Sequence, residues 1–208
     1  MDQAVKNKTK PTLTDSLRVR FKGVLDPVGA FLNHIGLKPN TITILGLAGN
    51  AVGAYLLATG RMSWGGLIIL FMGPIDALDG TMARLRGEAG EFGAFVDSVT
   101  DRYSELVIFG GLIFYYLQSG DWWSCMAVYL AAAGSVLVSY IRARGQSLGM
   151  DTKVGILTRL ERYIVLAPAL LFNLPLVGVW IIAILANVTA VQRIIDVRRQ
   201  AHQKRSQQ

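Results

Sequence analysis

Residues 76–101 read DALDGTMARLRGEAGEFGAFVDSVTD, and this stretch places four aspartates within a mainly apolar chain. Asp76 and Asp79 are three residues apart, whereas Asp97 and Asp101 are four apart. At about 100° of rotation per residue, each pair lies on one face of its own helix. The glycines between the pairs predict a short turn. We therefore expect two antiparallel helices that bring both acidic pairs to a similar depth.

The four aspartates predict a cation site. A buried anion loses its hydration, and clustered carboxylates repel one another unless a cation lies among them. Oxygen ligands without histidine or cysteine favour a hard ion such as Mg²⁺. Cys125 is the only cysteine, and His34 and His202 are far apart in the sequence, so neither residue type suggests zinc. We therefore predict a site for two Mg²⁺ ions, with Mn²⁺ as an alternative metal.

The composition is that of a membrane protein. Of the 208 residues, 52% are hydrophobic and 17% are charged, and the mean hydropathy is +0.40. A helix needs about 20 apolar residues to cross a bilayer. The segments that meet this requirement are residues 41–60, 63–84, 93–118, 123–145, 156–173 and 175–195. The predicted fold is an all-α integral membrane protein, with six transmembrane helices preceded by an N-terminal amphipathic interfacial helix.

Basic residues cluster at one set of segment ends. They lie before the first predicted span, after the second, between the fourth and fifth, and after the sixth. The positive-inside rule then places both termini and the turn after the second span in the cytoplasm. Aromatic residues mark the opposite ends, namely Trp64, Tyr115, Tyr116, Trp122, Trp123 and Trp180. We expect a multi-pass protein of the cell membrane with its active site toward the cytoplasm.

The ends of the chain differ from its apolar middle. Residues 1–11 and the basic residues 200–208 predict disordered termini. Residues 12–37 have an amphipathic pattern, interrupted near Pro27, that predicts an interfacial helix. Residues 38–199 then form one six-helix domain. Because the net charge of +7 is explained by topology and by attraction to anionic lipid, we expect membrane lipid as a partner and no nucleic acid.

Eight positions in the acidic stretch resemble the signature of the CDP-alcohol phosphotransferase family. The shared residues, at the family's spacing, are Asp76, Asp79, Gly80, Ala83, Arg84, Gly93, Asp97 and Asp101. The resemblance implies six transmembrane helices, a homodimer, a divalent-metal site built from the aspartates, and release of CMP from a CDP-linked donor. It extends loosely over most of the chain and closely over the signature.

The resemblance also implies roles for the aspartates. Asp76, Asp79 and Asp97 would be metal ligands, while Asp101 would share the metals and act as the general base. Transfer between a pyrophosphate and an alcohol requires charge neutralisation and a base, with little covalent work for the protein, and these roles supply both.

The donor site follows from the same resemblance. The CDP-linked lipid would contact Asn40, Thr43, Asp76, Gly80, Arg84 and Gly90. At position 90 the chain has glycine, where some relatives carry a hydroxyl residue that contacts the donor. Two alternatives stay open: Arg84 could be a cytoplasmic anchor, and Asn40 with Thr43 could cap a helix.

Residues 139–162, SYIRARGQSLGMDTKVGILTRLER, hold a second basic cluster. The segment is similar to the SYxxAR and RxER segments of bacterial and archaeal phosphatidylinositol phosphate synthases. This resemblance implies an acceptor phosphate site formed by Arg142, Arg144, Lys153, Arg159 and Arg162. Arginine forks suit a phosphate, and a neutral polyol would not need them. A purely topological role for these cations is the alternative.

Together these features predict magnesium-dependent transfer of the phosphatidyl group from CDP-diacylglycerol to myo-inositol phosphate, giving phosphatidylinositol phosphate and CMP. The same chemistry with glycerol phosphate or serine as acceptor remains open. A cation transporter is an alternative of another class, since carboxylates within a membrane can also pass an ion. The signature favours the transferase, because transport requires no glycine or arginine at fixed spacing.

Overall fold

A computed structural model of the protein describes residues 13–88, 90–152 and 154–206. All regular secondary structure in these ranges is α-helical. The seven helices that they contain are α1 (Leu13–His34), α2 (Pro39–Ala58), α3 (Met62–Arg86), α4 (Glu91–Gln118), α5 (Trp122–Ser147), α6 (Arg159–Leu171) and α7 (Pro175–Ser206). The segment 1–11, for which the sequence predicts disorder, lies outside the described residues.

The expectation of six transmembrane helices after an interfacial helix is wrong. Four helices of the described chain are long and apolar enough to cross a membrane, namely α2, α3, α5 and α7. Helix α4 does not qualify, because charged side chains such as Asp101 and Glu105 leave too short an apolar stretch. Helix α6 has only 13 residues. The protein is a multi-pass membrane protein, and α4 is a long helix with charged side chains along its first half.

Helix α1 continues through Pro27, where the sequence predicted an interruption. Proline removes one hydrogen bond of a helix, and the neighbouring turns can still continue it. The C-terminal end of α1 is joined to α3 by side-chain hydrogen bonds. The Asn33 amide donates to the Met82 carbonyl at 3.1 Å, and Arg86 Nε donates to Asn33 Oδ1 at 2.7 Å. Helix α1 is therefore fixed to the end of α3 that carries the acidic pair.

Helix α7 continues to Ser206, so residues 200–206 are helical where the sequence predicted a disordered tail. Alanine, glutamine, lysine and arginine are good helix formers, and an existing helix extends easily into such a stretch. The side chains of Gln200 and Lys204 also donate to the carbonyls of Asp151 and Gly149, at 3.0 and 2.7 Å. The tail thereby supports the connection between α5 and α6.

Helix α2 lies at the centre of the acidic half of the molecule, because it packs extensively on both α3 and α4. Small residues permit the close approach. A Cβ atom on Gly65 of α3 would lie 2.9 Å from the carbonyl oxygen of Gly53 on α2. Within the described residues α3 and α4 make few direct backbone contacts with each other. Their acidic ends therefore face each other across a gap.

Gly111 of α4 provides a test of this packing. A Cβ atom there would lie 2.4 Å from the carbonyl oxygen of Ala54, which cannot move without separating α4 from α2. We expect Gly111→Ala to lower the free energy of unfolding by about 1–3 kcal/mol, because overpacking displaces backbone. Thermal unfolding in detergent micelles measures the effect.

The neighbouring glycine is a matched control. A Cβ atom on Gly110 would meet nothing within 4 Å. Gly110→Ala should be neutral or slightly stabilising, since alanine is the better helix former by about 1 kcal/mol. Equal melting temperatures for the two variants would contradict the packing described.

Candidate active site

The structure brings three of the four predicted aspartates together. One carboxylate oxygen from each of Asp76, Asp97 and Asp101 lies within 4.8 Å of the other two. Asp76 belongs to α3, whereas Asp97 and Asp101 belong to α4. Asp101 is buried, and the other two are partly buried. The cluster therefore spans the gap between the two helices, as the helical spacing of the pairs predicts.

Asp79, the fourth aspartate, is held by α2. Its side chain is buried, and Asp79 Oδ2 accepts a hydrogen bond from Thr43 Oγ1 at 2.6 Å. The Thr43 hydroxyl oxygen also lies 3.2 Å from the Pro39 carbonyl oxygen. Asp79 follows Asp76 by three residues, on the same face of α3. It therefore borders the three-carboxylate cluster, with one oxygen directed at Thr43.

The other residues predicted to contact the donor surround this end of α2, α3 and α4. Helix α2 begins at Pro39 with Lys38 as its N-cap, so the alternative in which Asn40 or Thr43 is the capping residue is wrong. Asn40 is exposed in the first turn of α2, and the partly buried Gly80 follows Asp79 directly.

Two further predicted donor positions lie at the turn between α3 and α4. Arg84 is exposed, and its Nη2 donates to Thr81 Oγ1 at 2.8 Å. Gly90 is the exposed N-cap residue of α4. Gly87 ends α3 with a φ of 69°, a left-handed conformation that glycine adopts without strain. Gly87 and Gly90 thus lie at the two ends of the turn that the sequence predicted.

Arg159, the first residue of α6, lies among the carboxylates. Its Nη2 forms an ion pair with Asp76 Oδ2 and a second ion pair, at 2.6 Å, with Asp101 Oδ1. The guanidinium therefore links α3 to α4 through a residue of a third helix. Such a contact offsets the repulsion between the two aspartates. The sequence predicted Arg159 for the acceptor phosphate, and the structure puts it beside the predicted base.

Arg162 lies one turn further along α6 and faces the protein interior. Only 2% of its side chain is exposed, and its Nε and Nη2 donate to the two carboxylate oxygens of Glu105 at 2.6 and 3.0 Å. The sequence predicted Arg162 for the acceptor phosphate, and in the structure its guanidinium pairs with Glu105. Glu105 follows Asp101 by four residues, so the two lie on one face of α4. Helices α4 and α6 are therefore joined by two successive ion pairs, Asp101 with Arg159 and Glu105 with Arg162.

Glu105 was missed in the sequence, although its spacing from Asp101 was a visible signal. Its buried partner, Arg162, lies 57 positions further along the chain, and periodicity within one helix cannot reveal such a contact. A bidentate carboxylate pair fixes both position and orientation. This pair therefore sets the approach of α6 to α4 and, with it, the place of Arg159.

Local contacts also hold the segment that leads into α6. The backbone N–H and the hydroxyl of Thr158, the N-cap residue, both donate to Glu161, a capping arrangement at the helix start. Thr189 Oγ1 accepts from the N–H groups of Ile156 and Leu157 at 3.2 and 3.1 Å. The start of α6 is thus fastened to α7 just before Arg159.

The remaining predicted acceptor residues lie near the C-terminal end of α5. Arg142 and Arg144 are exposed there, and Lys153 lies outside the described residues. Arg193 of α7, which the sequence did not single out, is buried and donates to the carbonyl oxygens of Val138 and Val154 at 2.6 and 3.0 Å. Arg193 therefore links the connection between α5 and α6 to both α5 and α7.

The carboxylate cluster fits a divalent metal ion. The donors are all oxygens from at least three side chains, which is the chemistry that Mg²⁺ and Mn²⁺ prefer. The cluster also already draws a cation, since the Arg159 guanidinium contacts two of its members.

Comparison with known proteins identifies the family. The model of the CDP-alcohol phosphatidyltransferase family matches residues 37–192. The chain belongs to the CDP-alcohol phosphatidyltransferase family and is accordingly a transferase.

Several relatives have names that are more specific. A phosphatidylinositol phosphate synthase of Streptomyces avermitilis is 35% identical over 209 aligned residues, which cover 92% of this chain and 85% of the relative. An archaetidylinositol phosphate synthase of Pyrococcus horikoshii is 33% identical, with 90% of this chain and 97% of the relative covered.

Solved structures agree with this relationship. The phosphatidylinositol phosphate synthase of Mycobacterium tuberculosis with CDP-DAG bound is 31% identical, with a TM-score of 0.79 over 84% of this chain and 93% of that chain. A second structure of that enzyme contains manganese and citrate, and its TM-score is also 0.79, over 84% of this chain and 88% of that one. The aspartate cluster of this chain has the oxygen ligands that divalent ions prefer.

The buried ion pair yields a test. Glu105→Leu leaves the Arg162 guanidinium buried without its partner, so we expect a loss of about 3–5 kcal/mol in the free energy of unfolding. The double variant Glu105→Leu/Arg162→Met removes both charges and should recover most of that loss. Thermal unfolding in micelles measures both effects. Arg142→Met is the control, because that arginine is exposed.

A Glu105→Leu variant as stable as the Arg142→Met control would contradict the structural role assigned to the Glu105–Arg162 pair.

Proposed function

We propose that the protein transfers the phosphatidyl group from CDP-diacylglycerol to myo-inositol phosphate, giving phosphatidylinositol phosphate and CMP. The observation that carries the proposal is the meeting of the signature aspartates with Arg159, a residue of the acceptor segment. The names of the related synthases agree with it, as does the liponucleotide bound in one relative's structure.

The donor would lie at the acidic end of α2, α3 and α4. The gap between α3 and α4 could admit its pyrophosphate, with the acyl chains remaining in lipid. Asn40 and Thr43 would face the cytidine end. Gly80 offers close access to the helix backbone, and Arg84 offers a planar cation to the phosphates.

Asp76, Asp79, Asp97 and Asp101 would hold the metal, for which we propose two Mg²⁺ ions with Mn²⁺ as a substitute. Bound divalent ions would neutralise negative charge on the phosphoryl oxygens of the donor. The manganese in a related structure supports this choice. Thr43 would keep Asp79 oriented, because it donates a hydrogen bond to Asp79 Oδ2, while Asp79 Oδ1 accepts one from the Gly80 backbone N–H.

Asp101 would act as the general base. It would take the proton from the acceptor hydroxyl while that oxygen forms a bond to the phosphorus that bears the lipid. The bond from this phosphorus to the oxygen of the CMP leaving group would break, and CMP would depart with the electron pair. Burial of Asp101 excludes water, which would otherwise compete as an acceptor.

Arg159 would bind the phosphate of the acceptor, with Arg142, Arg144 and Lys153 as further cations of the site. The support for Arg159 is its distance of 2.6 Å from Asp101, since a phosphate bound there would bring the inositol ring toward the base. Arg162 would act indirectly, because its pairing with Glu105 positions α6.

We further propose that the protein lies in the cell membrane, with both termini and the active site toward the cytoplasm, and that it forms a homodimer. The basic residues at the acidic end of the bundle support this orientation through the positive-inside rule. The homodimer follows from the family resemblance, and α1 would lie at the membrane interface.

Asp101→Asn tests the assignment of the base. Asparagine keeps the shape and removes the proton acceptor, so we expect the rate of CMP release to fall by about 10²–10⁴-fold. Binding of CDP-diacylglycerol should largely survive. Asp121→Asn, on the turn before α5, is a matched control that should leave the rate unchanged. A rate for Asp101→Asn within about twofold of the wild-type rate would remove the assignment.

The acceptor is tested by competition. Purified protein in micelles with labelled CDP-diacylglycerol and Mg²⁺ is offered inositol phosphate, glycerol phosphate or serine in turn. We expect labelled lipid product and CMP only with inositol phosphate, because the acceptor segment supplies a cation beside the base. If product formed with glycerol phosphate or serine and not with inositol phosphate, the acceptor assignment would be wrong. Ion flux in vesicles without CMP release would support a transporter.

A further inference from the structure

Helix α3 has a break in its hydrogen bonding just before the acidic pair. Pro74 lies inside the helix, two residues before Asp76. Because proline has no N–H, the carbonyl of Leu70 has no helical donor four residues further on. A carbonyl left without a donor in an apolar region is costly. This turn of α3 therefore requires a hydrogen-bond donor from outside the helix.

Tyr163 of α6 supplies that donor. Its hydroxyl oxygen lies 2.7 Å from the Leu70 carbonyl oxygen and 2.5 Å from that of Ile69. The backbone N–H of Gly73 donates to the same hydroxyl at 3.0 Å. A tyrosine hydroxyl can donate once and accept at the same time. One side chain thus satisfies groups on both sides of the break.

Gly73 provides the space for this contact. A Cβ atom at this position would lie 2.4 Å from both the Cζ atom and the hydroxyl oxygen of Tyr163. Any larger residue would force the aromatic ring out of the break. The three residues are therefore complementary: Gly73 leaves room for the ring, Pro74 leaves a carbonyl without its N–H donor, and Tyr163 supplies a hydroxyl.

The same helix reaches both sides of the carboxylate cluster. Arg159, one turn before Tyr163, contacts Asp76 of α3 and Asp101 of α4. Arg162 pairs with Glu105 of α4. Helix α2 packs on both α3 and α4, and α6 adds a second link between them through these side-chain pairs. The Tyr163 contact fixes the α3 side of that link.

We propose that Tyr163 is a positioning residue for the metal site: by filling the break at Pro74 it sets where Asp76 lies relative to Asp97 and Asp101, and so sets the affinity of the cluster for divalent cations. The proposal rests on the metal site of the proposed function. It requires no contact between Tyr163 and the substrate.

Direct metal binding tests the proposal. Purified full-length protein in micelles, without donor or acceptor, is titrated with Mn²⁺, and free Mn²⁺ is followed by electron paramagnetic resonance. Tyr163→Phe keeps the ring and removes the hydroxyl, so we expect the Kd for Mn²⁺ to rise about tenfold, the scale found when a ligand's support is removed. Gly73→Ala should raise it as well, because the ring is displaced.

Tyr140→Phe is the matched control, since it makes the same chemical change at an exposed position of α5. It should leave the Kd unchanged. In an activity assay, Tyr163→Phe should need about tenfold more Mg²⁺ for half-maximal rate and reach a near wild-type rate at saturation. A general loss of structure would not produce this split, and thermal unfolding without metal shows whether the variant is folded.

An unchanged Kd in Tyr163→Phe, or an equal rise in Tyr140→Phe, would overturn the proposal. If Tyr163→Phe did not fold, Gly73→Ala would decide in the same titration, with an unchanged Kd again counting against it. The proposed transfer fails separately: a wild-type protein that binds Mn²⁺ and releases no CMP would contradict the transfer and leave this inference standing. A wild-type protein that binds no Mn²⁺ would overturn both.

Discussion

The repulsion between carboxylates that face each other across the gap between α3 and α4 is the constraint on which the rest of the structure depends. Asp76, Asp97 and Asp101 bring oxygens within 4.8 Å of one another, and Asp101 is buried. Positive charge must lie among them, and Arg159 contributes it from α6. The capped start of α6 and its buried pair with α4 maintain that arrangement. The same demand for positive charge supports the proposal that the cluster binds divalent ions.

The convergence of the aspartates could be predicted because it depends on short-range geometry. Spacings of three and four residues place side chains on one helix face, and a glycine turn reverses the chain. The number of spans could not be predicted in this way. Hydropathy identified the apolar parts of α4 and α6. It gave too little weight to the charged residues of α4 and did not reveal that α6 is short. The charged residues that define the site are the reason that α4 fails as a span.

Residue type predicted the kind of chemistry at the site better than it predicted which side chains contact one another. Arginines in the acceptor segment indicated an anion site, yet in the described part of that segment Arg162 pairs with Glu105 and Arg159 contacts the predicted base. Thr43 was assigned to the donor, and it holds Asp79. The role of Tyr163 depends on a helix 90 residues away in the chain, which no local pattern reveals. The adjacent glycine and proline before Asp76 were the only signal in the sequence.

Anomalous diffraction from crystals of the protein grown with Mn²⁺ tests the central claim most directly, because it locates the ions without reference to activity. The account predicts anomalous density between α3 and α4, within coordination distance of the oxygens of Asp76, Asp97 and Asp101, and its loss in Asp76→Asn. Ions bound elsewhere with this gap empty, or density in the gap that survives Asp76→Asn unchanged, would contradict it.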